Sequence, residues 1–481
     1  MMVTNLPAQA KPSSRKALKL STGTACSLLM CVSCATYQPA PLEPHAIAVA
    51  QTDASIDMQQ LQTRLQRYAP DYQWDGQIWD SLALLEAALA SNPDSRQALT
   101  ALKSAQAAAE ASRQAPGPNL TLSTEYAFNS PESSSWLLGV AGDAVLDVGG
   151  RHHGRIEAAD IAIKQAELDY AAVLWDIRMA VRRAAIAEQF SRAETKHANR
   201  LVSLRRQQFE ATQRKTQAGE ISRTELERTR NDLSSAESTL VNTIAVAQRA
   251  RIDLAKALGV QPEKISFVIL ADETALLGTQ ISVTDDMTRN AMLDRSEILK
   301  AVVDYDLAES ELRTAVASQY PQIQVGPGFT WDYGLSKLPI NIGLSFPTWD
   351  LNAAAIRAAE AKRTDVGARL ESTIASAMFR ITAAENEYQT AEAALAFINE
   401  NILPTATELA HQADNQFEAG AIDRAEWAAA QSGLITSRLD QVNGQHRVAE
   451  ALIKLEDALQ MPLSGPEQLI GKSRPISDTE Q

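Results

Sequence analysis

The sequence is poor in cysteine, in aromatic side chains and in long apolar runs. Its three cysteines, Cys26, Cys31 and Cys34, all lie near the N-terminus, which excludes a disulfide framework or a cysteine metal site from the rest of the chain. Only 5% of residues are aromatic although 45% are hydrophobic, mainly because alanine is abundant. That composition is typical of long, closely packed helices. Since no run of about twenty apolar residues occurs, no α-helix is expected to span a bilayer.

Positive charge is also scarce. The formal net charge of −14 argues against a nucleic-acid partner, because nothing offsets phosphate repulsion over a broad surface. No Ser/His/Asp or paired-carboxylate arrangement has a supporting motif, and the adjacent His152 and His153 do not share a helix face. The sequence therefore predicts no enzyme, no cofactor and no metal site. Charged pairs such as Arg182-Arg183 are expected to be solvated or to form ion pairs between helices.

The N-terminus carries a targeting signal. Basic residues precede a mildly apolar stretch that ends in small residues, so residues 1–33 are predicted to be a secretory signal peptide. Val32-Ser33-Cys34 resembles a bacterial lipobox, and Cys34 is therefore the expected site of lipidation, with Cys31 as the alternative. Residues 34–75 are predicted to form a lipidated tether with one short helix or none.

The rest of the chain contains a tandem repeat. Residues 155–160 match 355–360 at an offset of 200, and the turn Ala218-Gly219 matches Ala419-Gly420 at an offset of 201. Ordered matches of this kind indicate a duplication. The predicted parts are a first repeat over 76–262 (β-hairpin 119–148, long helix 151–218, return helix 221–259), a linker over 263–283, a second repeat over 284–462 (β-hairpin 322–347, long helix 353–418, return helix 421–460) and a disordered tail over 463–481.

Each repeat contains a stretch with the alternation of a β-hairpin. From Ile323 to Tyr333 the odd positions are apolar or aromatic and the even ones small or polar, and from Ile340 to Phe346 the pattern resumes on the other parity. Residues 120–148 alternate in the same way. Strands of about ten residues with one apolar face and an aromatic end suit a membrane-spanning hairpin. The alternative, a half-buried hairpin of a soluble domain, is disfavoured because the hairpin occurs twice.

Long helices account for most of each repeat. The first repeat begins with a predicted helix over 79–113, and the second with one over 294–319. No Gly or Pro occurs between Arg155 and Ala218, so this helix is expected to be a rod about 100 Å long. That length is far greater than a globular core requires.

The ends of the long helices have clear signals. Gly219 and Gly420 are expected to end them, because glycine adopts left-handed torsions at little cost. Ser222 and Asp423 are the expected N-caps of the return helices. Pro404 should bend the second long helix and free a carbonyl, so the two rods cannot be identical.

The number of strands predicts the number of chains. Four transmembrane strands cannot close a barrel, and open edges in lipid leave backbone groups unpaired. About eight strands are the minimum for a filled barrel and more are needed for an aqueous lumen, so three chains are the economical solution. The predicted fold is an α+β membrane protein, namely a trimeric transmembrane β-barrel with four strands per chain that continues into a long periplasmic α-helical coiled-coil barrel.

The order of these elements resembles a known family. The duplication, the lipobox with its tether and the Ala-Gly-x-Ile turns resemble the TolC family of outer-membrane efflux channels, from Cys34 to about Leu463. Gln319-Tyr320-Pro321, Gly326-Pro327-Gly328 and Trp331-Asp332 look most like a lipoprotein branch that serves heavy-metal or small-molecule efflux pumps. The resemblance implies a homotrimer in outer-membrane lipid that docks a periplasmic adaptor and, through it, a proton-driven inner-membrane pump. The chain would be a passive exit duct for metal cations or small toxic molecules.

The resemblance also implies roles for the turns after the long helices. The adaptor would dock at the periplasmic tips, formed by Gly219, Ile221, Gly420 and Ile422. Asp423 and Glu426 would form the narrowest ring, because family members place acids one turn beyond the second glycine. Ala429, where the family often has a second acid, departs from that pattern. The alternative is that Asp423 is only an N-cap and Glu426 its capping-box partner.

Two other functions are compatible with part of this pattern. One is a polypeptide secretion channel, which has the same fold and would adjoin an ATP-driven exporter in the genome. The other is a structural coiled-coil lipoprotein, which would not need two hairpins with alternating faces.

Overall fold

The computed structural model describes residues 37–115, 117–128, 134–272, 281–332, 334–347 and 349–468. The chain divides into two compact units, residues 1–50 and 51–481. In the first unit, the side chains of all described residues are exposed. Every strand, and every helix but the first, lies in the second unit within the described ranges.

The elements follow the same order twice. The helices are α1 Pro44–Asp53, α2 Met58–Tyr68, α3 Ser81–Ser91, α4 Pro93–Arg113, α5 Arg151–Gln217, α6 Arg223–Leu258, α7 Asp285–Asp294, α8 Ser296–Ala317, α9 Ala353–Phe397, α10 Leu403–Glu418 and α11 Arg424–Leu459. The strands are β1 Ile78–Trp79, β2 Asn119–Tyr126, β3 Trp136–Leu146, β4 Ile269–Leu270, β5 Gln322–Asp332, β6 Leu335–Lys337 and β7 Ile340–Ser345. In each repeat two shorter helices lead to antiparallel strands, a long helix, a glycine turn and a return helix.

The helices of both repeats pack side by side. α5 contacts α4 and α6 of its own repeat and α8 and α11 of the other, while α9 contacts α8 and α11. α5 is therefore a central rod that joins the two repeats. The outer rods are α4 with α6 on one side and α9 with α10 on the other. Among the described residues, no helix is long and apolar enough to cross a membrane.

The largest core lies around α3. This helix has the sequence SLALLEAALAS, which is apolar on almost every side, and a helix of that kind is stable only when it is surrounded. The side chains of Leu65, Trp79, Ile177 and Leu254 pack in the same cluster. They come from α2, β1, α5 and α6, so this core fixes the first repeat near the middle of α5.

α4 begins where α6 ends, and one side chain joins the two ends. Asn92 accepts a hydrogen bond from the Asp94 N–H at 2.9 Å as the N-cap of α4. Its amide also donates to the Ala257 carbonyl at 3.0 Å, in the last turn of α6. Gly259 (φ +73°) ends α6 so close to Asn92 that an added Cβ would lie 2.6 Å from the Asn92 Cα. Both helix ends are thus satisfied by a single buried residue.

The second repeat joins α11 to α8 with different residues at the same place. The Arg295 guanidinium donates to the Ala458 carbonyl, and the Ser296 N–H donates to the Gln460 side-chain oxygen at 2.7 Å. Gln460 occupies the position that Gly259 has in the first repeat, and its φ is also positive, at 49°. The junction is therefore a property of the repeat, although its chemistry differs between the copies.

Replacing Asn92 with alanine should lower the free energy of unfolding by about 1–2 kcal/mol, because one change removes an N-cap and leaves the Ala257 carbonyl unpaired. Urea unfolding in detergent, followed by circular dichroism, measures this. Asn242→Ala is the matched control, since Asn242 is exposed on α6. If both variants lost the same free energy of unfolding, the double role of Asn92 would be contradicted.

The structure adds a helix boundary at the start of each repeat. The helix predicted over 79–113 is two helices, α3 and α4, because Pro93 forces Asn92 into an extended conformation (φ −67°, ψ 126°) that starts a new helix. The helix predicted over 294–319 is confirmed as α8, Ser296–Ala317. A helix that was not predicted, α7, precedes it, and Arg295 is the extended residue between them. Asn92-Pro93 is itself a break signal in the sequence, because the proline ring disfavours a helical conformation at Asn92 and asparagine is a good N-cap.

The segments predicted to be linkers are partly folded. The predicted tether contains two helices, and Leu61 and Leu65 of α2 are buried. Within the predicted linker 263–283, β4 pairs in parallel with β1. The tail predicted to be disordered from residue 463 is ordered at its start, because Glu467 is buried. Residues 469–481 and 273–280 lie outside the described residues.

The predicted long helix over 353–418 is interrupted. A π turn occupies Ile398–Ile402, and the N–H of Leu403 donates to the carbonyl of Ile398. Pro404 follows directly in the first turn of α10. Proline has no N–H to donate and its ring collides with the preceding turn, so a wider turn at this place accommodates it. The expected difference between the two long rods is confirmed.

The remaining strands form one antiparallel sheet. β2 pairs with β3, β3 with β5, and β5 with both β6 and β7. The last predicted strand is thus two segments, which makes five strands instead of the four expected. Pro339 lies between these segments, where it cannot donate a ladder hydrogen bond, although its carbonyl accepts from the Gly328 N–H at 2.8 Å.

Candidate functional site

One face of the sheet is apolar and uncovered within the chain. Leu122 pairs with Val140, and Val140 with Phe329, and directly paired side chains lie on one face. Leu122 is 76% exposed and Ile340, on the same face, 73%. The other exposed apolar side chains of this face are Leu120, Tyr126, Trp136, Leu138, Leu146, Ile342 and Leu344. A continuous apolar face of this size requires an apolar environment.

The opposite face of the sheet is mostly small and polar. It carries Asn119, Thr121, Ser123, Glu125, Asp143, Gln322, Gln324, Thr330, Asp332, Asn341 and Ser345, with Leu137 and Val145 as exceptions. Its glycines lie where neighbouring atoms leave no room for a Cβ. A Cβ added to Gly139 would overlap the Ser123 hydroxyl, and one added to Gly326 would overlap the Asp143 carboxylate. Crowding on this face is expected of a sheet that curls with its polar side inwards.

The sheet and the helical layer both have two open edges. Among the described strands, β2 pairs only with β3, and β6 and β7 pair only with β5. The helical edges carry exposed apolar side chains, namely Val241, Ile244, Val246 and Ile252 on α6 and Met378, Phe379, Phe397 and Leu409 on α9 and α10. α5 and α11, which lie inside the layer and are described in full, expose no large apolar side chain. Both layers therefore end in surfaces suited to further packing.

An aspartate fixes each connection between sheet and helix. The Asp147 carboxylate accepts from the Arg151 N–H at 2.9 Å and the His152 N–H at 2.6 Å, which caps α5. Partial burial acts to raise the pKa of Asp147, but these backbone donors act against it, and the pKa lies below its ordinary value. In the second repeat Asp350 accepts from the Ala354 N–H at 3.2 Å. In both repeats, therefore, an aspartate between the sheet and the long helix accepts hydrogen bonds from the first turn of that helix.

The turns at the far ends of the long helices have the same hydrogen bonds. The Gly219 N–H donates to Thr216 and the Glu220 N–H to Lys215, at 3.1 and 3.0 Å. The second turn repeats this pair of bonds around Gly420. Gly219 and Gly420 have φ values of +77° and +72°. This is the Schellman geometry that the glycines predict.

Ile221 and Ile422 follow these glycines and are both half-buried. The next residue in each turn is the N-cap of the return helix: the Ser222 hydroxyl accepts from the Glu225 N–H at 3.2 Å. Asp423 does the same in the second repeat, accepting from the N–H groups of Ala425 and Glu426 at 2.6 and 3.0 Å. The expected N-caps are confirmed.

The two tip turns lie at the same end of the molecule. Lys215, in the last turn of α5, donates to the Asp423 carboxylate, and Arg424 donates to Gln207 of α5 at 2.9 Å. Asp423 is therefore an N-cap and also one half of an ion pair between the repeats. Sequence reasoning missed Lys215, because a basic residue in the last turn of a helix is already explained by the helix dipole.

The remaining candidate residues, Glu426, His152 and Cys34, do not lie together in one site. Glu426 is exposed, and its carboxylate has no hydrogen bond to the described residues. The His152 ring nitrogen Nδ1 lies 3.3 Å from Nη2 of Arg155. In the described ranges, no group of three or more His, Cys, Asp or Glu side chains is placed to hold a metal ion. Cys34 lies outside the described residues.

Comparison with known proteins agrees with this architecture. The profile of the family described as Outer membrane efflux protein matches residues 84–260 and 288–459, once in each repeat. The cobalt-zinc-cadmium resistance protein CzcC of Cupriavidus metallidurans is 23% identical over 365 residues, which are 74% of this chain and 84% of CzcC.

Solved structures share the fold. The outer membrane protein VceC of Vibrio cholerae gives a TM-score of 0.65 at 18% identity, over 83% of this chain and 98% of VceC. The MtrE outer membrane channel of Neisseria gonorrhoeae gives 0.62 at 19% identity, over 79% of this chain and 88% of MtrE. Since the family profile spans most of both repeats, the chain belongs to the outer membrane efflux protein family, as its resemblance to the TolC family implied.

Proposed function

We propose that three copies of this chain form an outer-membrane duct, which passively conducts substrates delivered by an inner-membrane pump and a periplasmic adaptor. The strands would close into a transmembrane barrel with the apolar face towards lipid, and the helices would continue it as a periplasmic tube. β3 and β5 have 11 residues each, and a transmembrane strand needs about 9–11.

The observation that carries this proposal is that both layers are open at both edges. An unpaired strand edge in lipid costs several kcal/mol for each backbone group, so the sheet of one chain is not a stable membrane structure by itself. The apolar side chains on α6 and on α9 with α10 give the helical layer matching edges. Head-to-tail association of copies around a closed axis satisfies both layers at once.

Crosslinking in detergent should stop at three chains, and the purified species should conduct ions across a planar bilayer. The reason is that three copies provide enough strands for a water-filled barrel. A monomer that inserts and conducts would contradict the proposal, because its two sheet edges would face lipid. A conducting dimer or tetramer would contradict the proposed number of chains but not the proposed duct.

We propose metal cations or small toxic molecules as the substrates. Support for cations comes from the name of the relative CzcC, a cobalt-zinc-cadmium resistance protein, and from the motifs around Tyr320, Gly326 and Trp331. The alternative is a polypeptide secretion channel. Deletion of the gene should sensitise cells to metal salts if efflux is correct, and should retain a polypeptide inside the cell if secretion is correct.

The tips are the proposed site of adaptor docking. Gly219, Ile221, Gly420 and Ile422 lie in two turns at one end of the molecule, and three copies would present six such turns. The pump, proposed to be proton-driven, would supply the energy through the adaptor. A structural coiled-coil lipoprotein is the remaining alternative, and the uncovered apolar face of the sheet argues against it.

Substituting Cys34 with alanine should abolish labelling by a fatty-acid analogue, because Cys34 is the proposed lipidation site. Labelling is measured in cells and compared with Cys31→Ala, which should retain it. Persistent labelling of Cys34→Ala together with loss in Cys31→Ala would move the site to Cys31. Channel assembly should survive in both variants, since a closed barrel stays in the bilayer without an acyl chain.

A further inference from the structure

Four charged side chains are buried together between the two repeats. Arg178 and Arg182 lie on α5, Glu456 lies on α11, and Glu467 lies in the segment after α11. Their side chains are 7%, 3%, 0% and 2% exposed. We refer to these four residues as the ionic clasp. Charged side chains are almost never buried to this degree unless they are paired.

The pairing within the ionic clasp is reciprocal. Arg178 donates to one Glu467 oxygen from Nε at 2.6 Å, and to Glu456 from Nη2 at 3.2 Å. Arg182 lies 3.3 Å from Glu456 and 3.6 Å from Glu467. Two guanidinium groups therefore face two carboxylates, so the formal charge of the buried group is zero, and the loss of any single member leaves it unbalanced.

The segment over 462–468 completes this site with its backbone as well. The N–H groups of Leu463 and Ser464 donate to Glu456 at 3.0 and 3.3 Å. The Ser464 hydroxyl accepts from Arg182 at 2.9 Å. Gly465 has a φ of +81° and lies next to α3. A Cβ added to Gly465 would lie 3.2 Å from the Ser81 hydroxyl of that helix. The segment thus touches α3, α5 and α11 at once.

Removing the segment would leave two buried arginines with one carboxylate. Breaking a buried ion pair from one side is strongly destabilising, because the remaining charge stays out of water without a partner. Burial raises the pKa of the Glu467 carboxyl, and Arg178 and Arg182 act in the opposite direction. The ionised carboxylate therefore depends on both arginines, as they depend on it.

We infer that the segment over 462–468 is a structural lock, which stabilises the packing of α5 of the first repeat against α11 of the second. Without this segment, two buried arginines face a single carboxylate, and the ionic clasp carries an excess positive charge. This role is independent of what the protein transports.

Two shortened chains test the inference, one ending at Met461 and one ending at Gln468. Thermal unfolding in detergent, followed by circular dichroism, should show a midpoint lower by about 10 °C for the chain ending at Met461. The chain ending at Gln468 should unfold like the full chain, because it retains the ionic clasp. The measurement follows helix content at one protein concentration for all chains, so it requires no assay of conduction.

Point variants separate charge balance from packing. Glu467→Gln keeps the shape of the side chain but leaves one excess positive charge, and it should lower the midpoint. Adding Arg178→Met removes that excess charge and should recover most of the loss, because a balanced or apolar core is tolerated where a single buried charge is not. Equal midpoints for the two shortened chains would overturn the inference. So would a double variant as unstable as Glu467→Gln alone.

Discussion

Replacing Leu122 with arginine should abolish insertion of the protein into a bilayer. Leu122 lies in the middle of β2 on the apolar face and is 76% exposed. An arginine facing lipid near the middle of a barrel costs about 2–4 kcal/mol, and a trimer would carry three of them. The fraction of protein recovered in membranes, or in liposomes after refolding, measures the effect.

The neighbouring residue provides the control. Thr121 lies on the same strand but on the polar face, so Thr121→Arg should insert like the unmodified chain, because its side chain would face water. Ile342→Arg, on β7 at the opposite edge of the sheet, should behave like Leu122→Arg. If Leu122→Arg and Thr121→Arg insert equally well, the apolar face does not meet lipid.

Removing the ion pair between Lys215 and Asp423 should raise the conductance of the channel. The pair joins the tip of the second repeat to the long helix of the first, and each side chain is 32% exposed. Pairs with this exposure contribute about 0.2–1 kcal/mol. Three of them would shift a closed–open equilibrium by about tenfold. Recording in planar bilayers should show the increase for Lys215→Met.

Asp423→Asn separates the two roles of the aspartate. Asparagine is also a good N-cap, so this variant should open the channel like Lys215→Met without loss of helix stability. Lys454→Met is the matched control, because Lys454 pairs with Glu387 within one repeat. An unchanged conductance in Lys215→Met would show that this pair does not hold the tip.

Glu426→Gln addresses the proposed narrow ring in the same recordings. Its carboxylate is exposed near the tip, and three copies in a ring would attract cations. The variant should therefore lower cation selectivity and leave the closed–open equilibrium unchanged. Unchanged selectivity would place the narrowest ring elsewhere and leave Glu426 as part of a helix start.

Periodicity and turn residues made much of the fold predictable from the sequence. The long helix predicted over 151–218 is Arg151–Gln217, because Gly219 ends it through local hydrogen bonds that any chain with this pattern would form. The two faces of the sheet were also predictable, since alternation along a strand is a local property. The break at Asn92-Pro93 was missed although its residues signal it, since proline disfavours a helical residue before it and asparagine is a good N-cap.

The long-range pairs could not be predicted in this way. Arg182-Arg183 was expected to be solvated or to pair between helices. Both residues pair between helices: Arg183 with Asp457 at 3.0 Å in an exposed position, and Arg182 with Glu456 at 3.3 Å in the ionic clasp, where its burial was not expected. The partners of Arg178 and Arg182 are more than 270 residues away. Nothing in a local pattern specifies which of many acids will arrive at such a site.

The π turn at Ile398–Ile402 coincides with a difference in length between the two copies. Ile156 matches Ile356 at an offset of 200, yet Gly219 matches Gly420 at 201, so the second long helix contains one residue more between these points. A π turn closes its hydrogen bond over one residue more than an α turn. The wider turn therefore accounts for the extra residue. A π turn of this kind allows two copies that differ by one codon to keep the same helix packing on either side of it.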